Sequence, residues 1–109
     1  RRACDSVPEK VALVGTGGIS HWPATPDSGK INEDWDREFL DRLVRQDKEA
    51  LLSYSDIDTY AEAGQGGFEI RTYIAAAAAA GGPGNLEFYT AELPIFAVGV
   101  CVASFDIAS

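Results

Sequence analysis

Methionine is absent from the chain, and histidine occurs once, at His21. The chain opens abruptly on Arg1-Arg2-Ala3, and the missing initiator leads to the expectation that these 109 residues are the C-terminal piece of something longer. Basic residues are scarce, nine Lys and Arg against seventeen Asp and Glu, for a net charge of −8. Nucleic acid and anionic membrane surfaces both need a basic face, so neither is an expected partner. Long apolar runs are missing too. Residues 75–80 are six alanines, too short and too weakly apolar to span a bilayer. No apolar stretch follows the opening arginines, so no secretory leader is expected in these residues. Cysteine is nearly absent as well. Cys4 and Cys101 lie near opposite ends without metal-ligand spacing, which reads as two idle thiols in a reduced, cytoplasmic protein.

What is present is the mix of a folded chain: 46% hydrophobic and 24% charged, enough for one domain with a modest core. The chain is organised around Val11-Ala12-Leu13-Val14-Gly15-Thr16-Gly17-Gly18-Ile19-Ser20-His21-Trp22-Pro23. Four apolar residues predict a short buried strand. Three glycines within four positions then predict a sharp turn that lies close to something. The turn delivers the imidazole, as α/β enzymes deliver reactive side chains at the carboxyl edge of a sheet.

Residues 1–10 are polar, contain Pro8, and read as a helix tail and a turn. Residues 22–30, with two prolines, read as an ordered loop. Asn32 is the expected N-cap of a helix to about Arg45, with Ile31, Trp35, Phe39 and Leu43 as its apolar stripe and Leu40 and Val44 beside them. Glu38/Arg42 and Asp41/Arg45 are i,i+4 pairs on its wet face. Residues 47–54 predict a helical turn or two. Ser55 and Asp58 resemble a capping box, with Asp where Glu is usual, opening a helix that Gly64 closes. A second glycine run, Gly64-Gln65-Gly66-Gly67, precedes a helix from Phe68 through the alanines, ended by Gly81-Gly82-Pro83-Gly84. Strands are expected at Leu86–Thr90 and Ile95–Phe105, the second too continuously apolar for a sheet with one wet face, so that it should be buried on both sides or cover a partner.

Two residues stand out as chemistry-bearing. His21 follows the glycine turn and is stiffened by Trp22-Pro23; a lone histidine is more often structural, but imidazole titrates near neutrality, where general acid–base work is done. Glu69 opens a helix among the apolar Phe68, Ile70 and Ile74, which predicts a buried, used carboxylate. The Glu33–Asp36 run reads instead as a solvated helix start. A phosphate cradle at Gly15–Gly18 matches neither the dinucleotide fingerprint nor the P-loop. A Ser20 nucleophile lacks the glycine that a nucleophile elbow needs after it.

These motifs carry a resemblance. Gly15-Thr16-Gly17-Gly18-Ile19-Ser20-His21, then Gly29-Lys30-Ile31-Asn32 with Trp35-Asp36, then Gly66-Gly67-Phe68-Glu69-Ile70 with Tyr73-Ile74-Ala75-Ala76, resemble the C-terminal part of the class III extradiol ring-cleavage dioxygenases. That group includes the protocatechuate 4,5-dioxygenase β-subunit and gallate dioxygenase. The resemblance runs from about Val11 to Ala80 and more loosely onward. It implies an α/β chain, with residues 1–109 the C-terminal fragment of a single catalytic domain. It implies a non-haem Fe(II) held by two histidines and a glutamate, with positions left for a catechol-type aromatic acid and O2. Glu69 would be the carboxylate ligand, and His21 the non-ligating acid–base residue. In enzymes of that group the two histidine ligands lie in the N-terminal part, so the resemblance places them upstream; the one histidine here is already assigned and cannot complete the triad. A homo-oligomer or a complex with a small subunit is expected. The alternative is a non-catalytic remnant, or a small binding or assembly subunit with its last strand as interface.

Overall fold

A computed structural model describes residues 1–92 and 97–109. Its elements follow one another in chain order. They are α1 Arg2–Asp5, α2 Glu33–Val44, α3 Lys48–Leu52, α4 Asp56–Ala63, a 3₁₀ turn Gln65–Glu69, α5 Ile70–Ala80, β1 Gly81–Thr90 and β2 Val100–Ile107. The α/β class expected from the sequence holds: a helical layer packs on a two-stranded antiparallel sheet. Among the described residues no helix is long and apolar enough to cross a membrane.

Local signals set the helix bounds. The Asn32 side chain accepts a hydrogen bond from the Trp35 N–H at 3.3 Å and opens α2. Ser55 accepts from the Asp58 N–H at 3.1 Å and opens α4, which Gly64 closes at φ 75°. The Asp58 carboxylate accepts from the Ser55 hydroxyl, not from its N–H, so the capping box is half made. Gly81, left-handed at φ 80°, ends α5 and begins β1 in one residue. The strand therefore starts five residues before the expected Leu86.

The core is Ile19, Phe39, Leu40, Leu43, Leu51, Ile70, Tyr73 and Ala77, with Trp35, Tyr54, Tyr89, Cys101 and Phe105 packed around it. Two strand expectations fail. Residues 11–14 form no ladder, and Val11, Leu13 and Val14 are 51, 58 and 72% exposed. A strand exists only through its partners, and β1 and β2 are paired with each other. The run expected at Ile95–Phe105 is a strand only from Val100; Ile95 and Phe96 lie outside the described residues. Nor is it buried on both sides. Cys101, Ala103 and Phe105 are half-buried, while Val100, Val102 and Ser104 between them are exposed, the alternation of a ribbon with one covered face.

Candidate active site

The glycine turn is stitched to the start of α5 by three consecutive residues. The Thr72 hydroxyl donates to the Thr16 carbonyl at 2.5 Å, the Tyr73 hydroxyl donates to the Gly17 carbonyl, and the Gly18 N–H donates to the Glu69 carboxylate. Residues 69, 72 and 73 share one helix face by their i,i+3,i+4 spacing, so a turn laid along that face meets all three. Side chains on the turn would prevent this. A Cβ at Gly15 would lie 2.5 Å from the Thr72 carbonyl oxygen. One at Gly17, where φ is +136°, would lie 2.7 Å from Glu69 Oε2.

His21 is held from both sides of its backbone. Its N–H donates to the Ala63 carbonyl at 2.9 Å, and its carbonyl accepts from the Gly66 N–H at 3.2 Å. Gly66 must be glycine because a Cβ there would enter the imidazole. The ring nitrogen Nδ1 lies 2.9 Å from the Ile19 carbonyl oxygen. A carbonyl can only accept, so Nδ1 carries the hydrogen, and Nε2 is the proton acceptor of the neutral ring.

His21 and Glu69 line the same cavity, of about 1080 Å3, on either side of Gly18. A Cβ on Gly18 would sit 3.2 Å from the imidazole Cε1, while the Gly18 N–H holds the carboxylate. Trp22, Pro23, Phe88, Val98 and Val100 supply apolar walls. A roomy, mostly apolar cavity with a few convergent polar groups is the form of a small-molecule site. Glu69 departs from expectation in one respect. It is exposed, not buried, because it closes the 3₁₀ turn and stands at the N-cap of α5, ahead of the packed Ile70. The Gly18 N–H that a phosphate would need is already taken by this carboxylate. Ser20 is fully buried, and its hydroxyl accepts from the Asn32 N–H at 2.8 Å, which leaves no free nucleophile.

Asp36 is the residue that sequence reasoning missed. Assigned there to a solvated helix start, it is 0% exposed. Its Oδ1 accepts from the Ser20 N–H at 2.9 Å and its Oδ2 from the Tyr89 hydroxyl at 2.7 Å. Burial pushes its pKa up, and the bonds from Tyr89 and Ser20 act against that. The signal was available: Asp36, Phe39, Leu40 and Leu43 are the buried stripe of α2, at i, i+3, i+4 and i+7. Tyr89, on the cavity wall, has its own pKa raised by burial and by Asp36, so it stays a hydroxyl donor.

Residues 1–103 match the family described as the catalytic LigB subunit of aromatic ring-opening dioxygenase. The chain is 40% identical over 76 residues to a gallate dioxygenase of Pseudomonas putida, which covers 68% of this chain and 22% of that protein. It is 25% identical over 150 aligned residues to a 2,3-dihydroxyphenylpropionate/2,3-dihydroxicinnamic acid 1,2-dioxygenase of Rhodococcus jostii, covering 94% of this chain and 48% of that protein. The chain thus spans less than half the length of either relative.

Proposed function

The chain belongs to the family of catalytic LigB subunits of aromatic ring-opening dioxygenases, and from that premise we propose that it forms part of the site of an Fe(II)-dependent extradiol (meta) cleavage of a catechol-type aromatic acid by O2. The observation that carries this is the convergence of His21 and Glu69 on one cavity, with Gly18 between them. Glu69 suits a metal ligand: one carboxylate oxygen is anchored by the Gly18 N–H, and the other has no hydrogen-bond partner among the described residues. His21 is the only imidazole, so the two nitrogen ligands of a facial triad would come from outside these residues. Bound Fe(II) would supply the O2 chemistry.

The chain's own residues supply the rest. His21, with Nδ1–H held by the Ile19 carbonyl, offers Nε2 to the proton of a substrate hydroxyl and can return it later in the reaction. Trp22, Phe88 and Val98 give the aromatic ring an apolar seat and displace water from it. A cytoplasmic location, and assembly with like copies or a small subunit, belong to the same proposal. The alternative, a non-catalytic remnant or assembly subunit, is separated by the same experiment.

That experiment loads the complete gene product anaerobically with Fe(II) and follows O2 uptake with protocatechuate, gallate and simple catechols. His21→Ala should keep its iron and lose about 10²–10⁴-fold in turnover, the scale of general acid–base catalysis. Glu69→Ala should lose iron itself. Equal iron loss in both would mean that ligand and base have been confused, and no iron in the unaltered protein would favour the non-catalytic alternative.

A further inference from the structure

We propose that Asp36 is the positioning residue for His21, selecting its tautomer through the Ile19–Ser20 peptide plane. The Ser20 N–H that Asp36 accepts and the Ile19 carbonyl that meets His21 Nδ1 belong to one peptide unit. That unit is planar and trans, so its N–H and C=O point in opposite directions, and fixing one fixes the other. A buried carboxylate on one side of the plane therefore aims the carbonyl on its other side at the imidazole. The bonds to Gly99 do not do this. Ile19 N–H donates to the Gly99 carbonyl at 2.8 Å and Gly99 N–H to the Ser20 carbonyl at 3.1 Å, which ties down the two flanking planes and leaves the middle one to Asp36.

The surroundings hold Asp36 to that task. The Tyr89 hydroxyl occupies its second oxygen, so the carboxylate cannot turn away from Ser20 without also losing this part-buried bond. Gly99 leaves room for it, since a Cβ there would collide with Oδ2. A carboxylate accepting from an N–H also polarises that peptide and makes its carbonyl a better acceptor for Nδ1–H. Without this carbonyl the ring has no fixed tautomer, and Nε2 is no longer reserved as the base.

The proposal rests on His21 as the acid–base residue, but its test does not. Because His21 is the chain's only histidine, an imidazole ¹⁵N–¹H correlation spectrum of the full chain contains one residue's signals. Recorded on the neutral ring, on protein with native circular dichroism, it should show hydrogen on Nδ1 and a bare Nε2. Asp36→Asn, which still presents an oxygen to Ser20, should keep that pattern; Asp36→Ala should shift it toward Nε2–H. Asp36→Leu, which fills the same space without an acceptor, repeats the measurement if the alanine variant loses its fold. An Nε2–H ring in the unaltered chain, or an Nδ1–H ring in folded Asp36→Ala or Asp36→Leu, overturns the proposal. In the iron-loaded gene product, Asp36→Ala should lower kcat by about 10–100-fold at unchanged iron content and KM, the scale for a residue acting through another, with Asp36→Asn recovering most of it. Unaltered turnover in His21→Ala would instead strike at the acid–base reading, while the spectra still decide the role of Asp36.

Discussion

A carboxylate with no solvent exposure has its charge state tied to folding. Burial raises the pKa of Asp36 above its ordinary value of 3.8, so the folded chain binds this proton more tightly than the unfolded one. Below 3.8 both states are protonated and the group costs nothing; as pH rises through the folded value, the charged form must be held in the core and stability falls. Asp36→Asn removes that charge while keeping the bond to Ser20. The variant's melting temperature should therefore exceed that of the unaltered chain by more at pH 7 than at pH 4, as scanning calorimetry at both values can check. A constant difference would mean that the hydrogen bonds cancel the cost of burial. The same residue shows what sequence could and could not give. Its place on the buried stripe was legible from periodicity. Its role was not, because Ser20 and Tyr89 approach it from 16 positions before and 53 after.

Elements whose signals are local were legible. α2 and α4 begin at the cap residues that the sequence marks, and the Glu38/Arg42 and Asp41/Arg45 pairs form as spaced. The strands were less so, since pairing is non-local: four apolar residues at 11–14 carry a strand's pattern, but among the described residues no partner strand lies against them. The site falls between. His21 and Glu69 were singled out in sequence, whereas their meeting depends on a turn laid along the face of residues 69, 72 and 73. The cap of α2 also ties that helix to α4, since the Asn32 amide donates to the Glu62 carbonyl at 2.9 Å while its Oδ1 caps Trp35. Asn32→Ala should cost about 1 kcal/mol for the cap. In a domain of this size that lowers the melting temperature by roughly 4–8 °C. A change of less than a degree would show that water replaces the cap without loss. The backbone bond from Asn32 N–H to the Ser20 hydroxyl survives the substitution, so the His21 imidazole signals should stay in place.

The molecule as a whole is spread out. Its radius of gyration is 14.6 Å, where a compact domain of about 100 residues has about 13 Å. Its accessible surface is 6985 Å2, against roughly 5,800 Å2 for a compact monomer of its mass. Part of the excess is apolar. Val11, Leu13 and Val14 stand exposed on one segment, and Phe88, Val102 and Ile107 on the hairpin. A second cavity of about 740 Å3 lies between that segment and β2, bordered by Leu13, Tyr73, Cys101 and Phe105. Apolar surface gathered in this way drives association, and the net charge of −8 opposes it over a distance that salt shortens. The 109-residue chain in solution should therefore self-associate, with an apparent mass that rises with protein concentration and rises further as salt is added. Paired substitutions Val14→Lys and Val102→Lys, at exposed positions on the two sides of the gap, should return it toward the monomer without unfolding it. Sedimentation velocity over a concentration series at low and high salt measures this. A monomer at every concentration and salt, in the unaltered chain, would mean that these side chains close over one another in solution and that the gap between residues 11–14 and β2 is filled from within.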